Sequence, residues 1–64
     1  NIKKLLDVME YGIQYSAVDL MFKLNLSSRE GFRRNYLKPA LNGNYIRMTI
    51  PDKPNNKNQR YIKN

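Results

Sequence analysis

The sequence contains no cysteine and no histidine. Without cysteine, neither a disulfide nor a thiolate metal site can supplement the core, and the reducing cytoplasm is a compatible setting. Without histidine, the commonest general base and the commonest metal ligand are missing together. No apolar run approaches the roughly 20 residues of a membrane span, and no signal peptide is visible, so no membrane partner is expected. A glycine-rich phosphate loop is also lacking. Asp7, Glu10 and Asp19 fall on the outsides of expected helices beside lysines, and Asp52 stands alone between two prolines. Such scattered acids form no catalytic or metal-binding constellation. The segment is therefore expected to be no enzyme and to hold no cofactor or metal.

What is present is charge of one sign in one half. The net charge is +7, and residues 1–26 contribute nothing to it, because Lys3, Lys4 and Lys23 cancel Asp7, Glu10 and Asp19. Residues 27–64 set nine cations against only Glu30 and Asp52. Such polarity favours a polyanionic partner through phosphate contacts and counterion release. An excess of lysine and arginine that merely keeps a small domain soluble is the alternative. Sixty-four residues make one domain, 1–64, with a thin core, because a chain of this size buries about 60% of its unfolded surface. Its start at Asn1 rather than Met suggests a segment of a longer protein.

Apolar spacing sets the elements. Ile2, Leu5, Leu6 and Met9 recur at i, i+3, i+4, i+7 and predict a helix over about 2–10, ended by Gly12. Tyr11, Ile13 and Tyr15 alternate with smaller or polar residues and permit a short extended piece. Ser16 is the next N-cap, and Ala17, Leu20, Met21 and Leu24 predict a second helix over about 17–24, with Asn25 able to end it in the left-handed conformation. Two residues later Ser27 and Glu30 offer a capping box for a third helix over about 28–38, with a further turn to 42. Two short helices joined so tightly, with Leu26 in the angle, make a helix-turn-helix pattern. Pro39 should end or kink the third helix near Tyr36–Lys38. Asn42-Gly43-Asn44 then turns the chain into a strand over about 45–50, a polar loop, and a returning strand over about 59–63. The whole is an α+β winged helix-turn-helix: three helices and a small antiparallel β-hairpin wing. Its core is expected to comprise Leu5, Leu6, Met9, Leu20, Met21, Leu24, Leu26, Phe32, Tyr36, Leu37, Leu41, Ile46, Met48, Ile50 and Ile62.

The third helix carries the candidate site. Phe32, Tyr36 and Leu37 fall on one side, opposite Gly31, Arg34, Asn35 and Lys38, with Ser28 at the margin. A cationic, amide-bearing face of this kind suits the major groove, where arginine reads guanine and asparagine reads adenine. Ser28, Arg29, Arg33, Arg34, Asn35 and Lys38 are the candidates there, although Arg33 leans toward the apolar side and can pack its stem on it. In the wing, 51–60, the candidates are Lys53, Asn55, Asn56, Lys57 and Arg60, which would contact the phosphate backbone. The bland readings are a solvated helix face with a Glu30–Arg34 pair, and a polar hairpin loop whose composition turn chemistry explains. The five tyrosines lie on different elements and read as core residues rather than as stacking platforms.

The run from Phe32 onward resembles the small C-terminal winged-helix domain of bacterial Fic-family proteins. It resembles equally that of regulators with an AlbA/schlafen-like N-terminal domain, the RecG-related putative DNA helicases. The shared pattern is met by Phe32, Arg33, Tyr36, Leu37, Pro39, Ala40 and Leu41, then Pro51, Asp52 and Pro54, then Gln59 and Tyr61. The usual glycine before the strand is replaced by Asn44. The resemblance implies a winged-helix fold and an accessory, DNA-binding role in a bacterial transcription regulator or larger enzyme. The HxFx[DE]GNGR motif of Fic AMP-transferases is absent, so that activity is carried onto no residue here. The expected partners are double-stranded DNA and the other domains of the parent chain. A homodimer would let two half-sites add, though no dimer helix is identifiable. The competing reading is a protein-docking module of a Fic-family AMP-transferase without DNA binding, marked by exposure of Val18 and Phe22 off the main stripe of the second helix.

Overall fold

The computed structural model describes residues 1–64. The elements run α1 (Ile2–Asp7), β1 (Gln14–Tyr15), α2 (Ala17–Lys23), α3 (Arg29–Phe32), a π-helical turn (Arg33–Leu37), α4 (Lys38–Asn42), β2 (Ile46–Met48) and β3 (Tyr61–Lys63). This is the expected α+β winged-helix arrangement, with one strand more than the hairpin requires.

α1 is shorter than expected. The chain leaves it at Val8, whose N–H donates to the carbonyl of Leu5 at 3.2 Å, and Met9 donates to Leu6 at 3.2 Å. The N–H of Glu10 then donates to the hydroxyl of Tyr15 at 2.9 Å instead of to a helix carbonyl. Gly12, at φ +80°, reverses the chain into β1.

α2 begins in a full capping box. The hydroxyl of Ser16 accepts from the N–H of Asp19 at 3.0 Å, and the Asp19 carboxylate accepts from the N–H of Ser16 at 3.2 Å. It ends in a Schellman motif around Asn25, at φ +58°. The N–H of Leu26 donates to Met21 at 2.9 Å and that of Asn25 to Phe22 at 3.1 Å, so the last carbonyls are satisfied. Leu26 thereby turns back toward the core cluster as the helix-turn-helix plug.

The next cap is Ser28 rather than Ser27. The Ser28 hydroxyl accepts from the N–H of Gly31 at 3.1 Å, and the expected Ser27–Glu30 box does not form. Nor does Pro39 stop the helix. It has no N–H to offer, and the preceding turn widens so that Lys38 donates to the carbonyl of Arg33, five residues back. The helical run continues to Asn42 and closes in a second Schellman motif. There Asn44 takes φ +60°, Tyr45 donates to Ala40 at 2.9 Å and Asn44 donates to Leu41 at 3.1 Å.

β3 is the central strand, antiparallel to β1 on one side and to β2 on the other. Tyr15, Tyr61 and Met48 form one row across the sheet, and Gln14, Ile62 and Arg47 form the next, on the opposite face. Tyr61 is thus the buried residue, in keeping with the reading of the tyrosines as core, whereas Ile62, expected in the core, is half-buried on the outer row. Adjacent apolar residues in a strand cannot both face inward. The strands are also shorter than 45–50 and 59–63. Beyond Met48 one hydrogen bond, Thr49 to Arg60 at 2.9 Å, continues the ladder, and half-buried Ile50 belongs to the base of the wing rather than to the core.

The core comprises Leu5, Met9, Tyr15, Leu20, Phe32, Leu37, Ala40, Ile46 and Tyr61, with Leu6, Met21, Leu24, Leu26, Tyr36, Leu41 and Met48 packed around it. Lys63 closes its far end. Its ammonium donates to the carbonyls of Leu6 at 3.1 Å and Met9 at 3.4 Å and lies 4.5 Å from the ring centre of Tyr11. A cation at the C-terminal end of α1 complements the helix dipole and its orphan carbonyls.

Candidate functional site

The third helix presents a shallow, wholly polar face of Arg29, Glu30, Arg33, Arg34 and Lys38. Asn35 is exposed beside it. Glu30 and Arg34 form the one ion pair of the molecule, at 3.4 Å with both side chains largely in solvent, so it contributes no more than a few tenths of a kcal/mol. Ser28 spends its hydroxyl as the helix cap. Arg33 stands where this face meets the wing: its guanidinium donates to Oδ1 of Asn55 at 3.3 Å.

The wing is organised by a residue that residue type alone leaves among the loop polars. Gln59 is only 6% exposed. Its Oε1 accepts from the N–H of Ile50 at 2.9 Å, and its Nε2 donates to the carbonyls of Ile50 at 2.6 Å and Lys53 at 3.2 Å. Asn56 turns the tip by accepting from the N–H of Asn58 at 2.7 Å. Arg60 donates to the carbonyl of Gln59 at 3.0 Å, folded along its own strand. Of the wing candidates, Lys53 and Lys57 stand free in solvent, whereas Asn55, Asn56 and Arg60 are engaged within the fold.

Helix and wing enclose an open cleft of about 390 Å³. The start of α2 forms one wall, Phe32 and Leu37 lie beneath, and Pro54 to Lys57 form the wing side. Tyr61 reaches it from β3. Burial pushes the Tyr61 phenol above its ordinary pKa, with the positive charges of Arg33 and Arg29 opposing. Gln59 and Tyr61 are legible in the sequence as the Q-x-Y part of the family resemblance. Residue type marks Tyr61 only as one of the tyrosines read as core, and does not mark Gln59.

Beside the cleft, α2 exposes Val18 (59%) and Phe22 (85%), one helical turn apart and so contiguous on the same face. No group of three or more potential ligands could hold a metal ion, and no helix is long and apolar enough to cross a membrane.

Two comparisons bear on this geometry. The family described as "Filamentation induced by cAMP protein Fic-like, C-terminal domain" matches residues 1–62. The crystal structure of a Fic family protein from Desulfovibrio desulfuricans G20 superposes with a TM-score of 0.89 at 40% identity over 98% of this chain. The match spans 19% of that protein's own length. No curated protein matches. Both findings fall on the Fic side of the resemblance, and neither supports a RecG-related helicase.

Proposed function

Because the chain belongs to the Fic-like C-terminal domain family, we propose that it serves as a docking domain of a Fic-family protein, packing α2 against another domain of the protein that carries it. One observation carries this reading: Val18 and Phe22 lie together in solvent, although the core needs neither of them. Burying two such side chains yields about 1.5–3 kcal/mol each, a strong incentive for a partner surface. In this reading the 64 residues do no chemistry themselves.

Hydrogen–deuterium exchange tests it. The α2 amides should exchange more slowly in the full-length Fic-family protein than in the 64-residue chain, and Phe22→Ser should abolish the difference. Equal exchange in both settings would sink the docking reading.

The cationic face of Arg29, Arg33, Arg34 and Lys38 favours a second reading, duplex DNA binding in the major groove. Titration of the chain into a mixed-sequence duplex at two salt concentrations addresses it. Binding that weakens steeply with salt and is lost in Arg34→Ala/Lys38→Ala supports it, and no binding at low salt removes it.

A further inference from the structure

We infer that the cleft between α3 and the wing is a binding site for an acidic peptide segment carrying one apolar anchor residue. The inference rests on the docking reading for where the partner approaches, and it adds the chemistry by which the partner is recognised.

The cleft has an apolar interior and a cationic rim. Val18 and Pro54 supply the exposed apolar surface of its sides, and the edges of the buried Phe32 and Leu37 close it from beneath. Arg29, Arg33 and Lys57 stand around the opening, and no acidic residue lines it. At about 390 Å³ it has the volume of a small ligand pocket, enough for one large apolar side chain and its backbone.

The rim arginines are poorly partnered. Arg29 has no ion pair, since the one ion pair of the molecule joins Arg34 to Glu30. Arg33 has only the neutral amide oxygen of Asn55, at a long 3.3 Å. A carboxylate can take two parallel hydrogen bonds from a guanidinium and adds a full opposite charge, which the single neutral oxygen of Asn55 does not, so a ligand carboxylate displaces Asn55 favourably. Val18 belongs both to this cleft and to the exposed α2 face, so one peptide can leave the cleft and run on over Phe22. A phosphate backbone would use the rim and leave the apolar interior empty, which favours the peptide.

The test is fluorescence anisotropy of the 64-residue chain with a fluorescein-labelled peptide of glutamates around one central phenylalanine. Binding is expected. Replacing that phenylalanine by glutamate, or introducing Arg29→Ala, should each weaken it about tenfold. Asn55→Asp should also weaken it, by setting a carboxylate beside Arg33, without lowering the melting temperature. That variant separates occupancy of the site from loss of fold. Equal binding of the all-glutamate peptide would reduce the effect to charge attraction and overturn the inference. So would tighter binding of a short DNA duplex that Val18→Ser leaves unchanged. If the peptide fails while α2 is still protected in the full-length protein, the cleft inference falls and the docking reading stands. If the peptide binds but that protection is missing, the cleft inference stands and the docking reading falls.

Discussion

The side-chain amide of Gln59 stands in for a peptide group against Ile50, accepting from its N–H at 2.9 Å and donating to its carbonyl at 2.6 Å. β2 ends at Met48, so Ile50 has no strand partner of its own, and one buried side chain supplies both halves of the missing pairing. Gln59→Ala should therefore destabilise the chain by about 2 kcal/mol, because it leaves the half-buried N–H of Ile50 without an acceptor, while the Ile50 carbonyl keeps only the N–H of Lys53. Gln59→Glu should do no better at neutral pH, since a carboxylate would face the carbonyls of Ile50 and Lys53. Urea denaturation checks both, and an unchanged midpoint in either variant would mean that the wing is held by something else.

The two asparagines with positive φ should respond oppositely to glycine and to a branched residue. Asn25→Gly and Asn44→Gly should be tolerated, whereas Asn44→Val should cost about 1–2 kcal/mol, because a branched side chain is strained in the left-handed region. Thermal denaturation of the paired variants gives the comparison. Equal loss for Gly and Val would show that the asparagine side chain, not its backbone freedom, is what matters.

The capping box makes α2 sensitive to acid. The hydrogen bond from the backbone N–H of Ser16, and then its hydroxyl, hold the Asp19 carboxyl below its ordinary value of 3.8, with Arg60 and Lys23 adding to the effect. A lowered folded-state pKa stabilises fully above 3.8 and is lost as pH falls through the lowered value. Asp19→Asn should flatten the acid limb of the stability curve over that window. Parallel acid titrations followed by circular dichroism measure it, and superimposable acid limbs would refute the assignment.

Two phenylalanines ten positions apart should behave in opposite ways. Phe32 is 1% exposed and stacks on Tyr36 with ring centres 5.9 Å apart, so Phe32→Ala should cost about 3–5 kcal/mol, enough to unfold so small a domain. Phe22→Ser should leave the melting temperature of the 64-residue chain nearly unchanged. A large loss of stability in Phe22→Ser would show that Phe22 supports the fold and would withdraw the main support for docking.

Local signals carried most of the fold. The Ser16 cap, the left-handed Asn25 and Asn44, the helix-turn-helix and the hairpin all follow from residue type and spacing. What remained hidden depended on competition between near-equal choices. Ser27 and Ser28 both offer a hydroxyl, and the choice between them is made in the turn around Leu26, where spacing is silent. Tyr61 and Ile62 both suit an interior, and only the pairing of β3 with β1 and β2 decides between them. β1 itself is two residues long and exists because β3 is there to receive it. For the candidate site, spacing placed Arg34, Asn35 and Lys38 on an exposed face. It could not reveal that Arg33 ties helix to wing or that the wing folds over a buried glutamine. Both are contacts across more than five residues of chain, beyond the reach of local pattern.

The π-helical turn at Arg33–Leu37 makes the chain unequally tolerant of insertions and deletions. It is in effect one surplus residue housed inside a helix, just ahead of the proline it accommodates. Loss of a single codon there would remove that surplus, pull the run back to a regular α-helix and return Pro39 to a turn that demands its missing N–H. The same loss among exposed residues of the wing tip would shorten a surface loop and little else. Length variation between relatives of this domain should therefore collect in the wing and avoid residues 33–37, however freely the identities of exposed Arg34 and Asn35 drift.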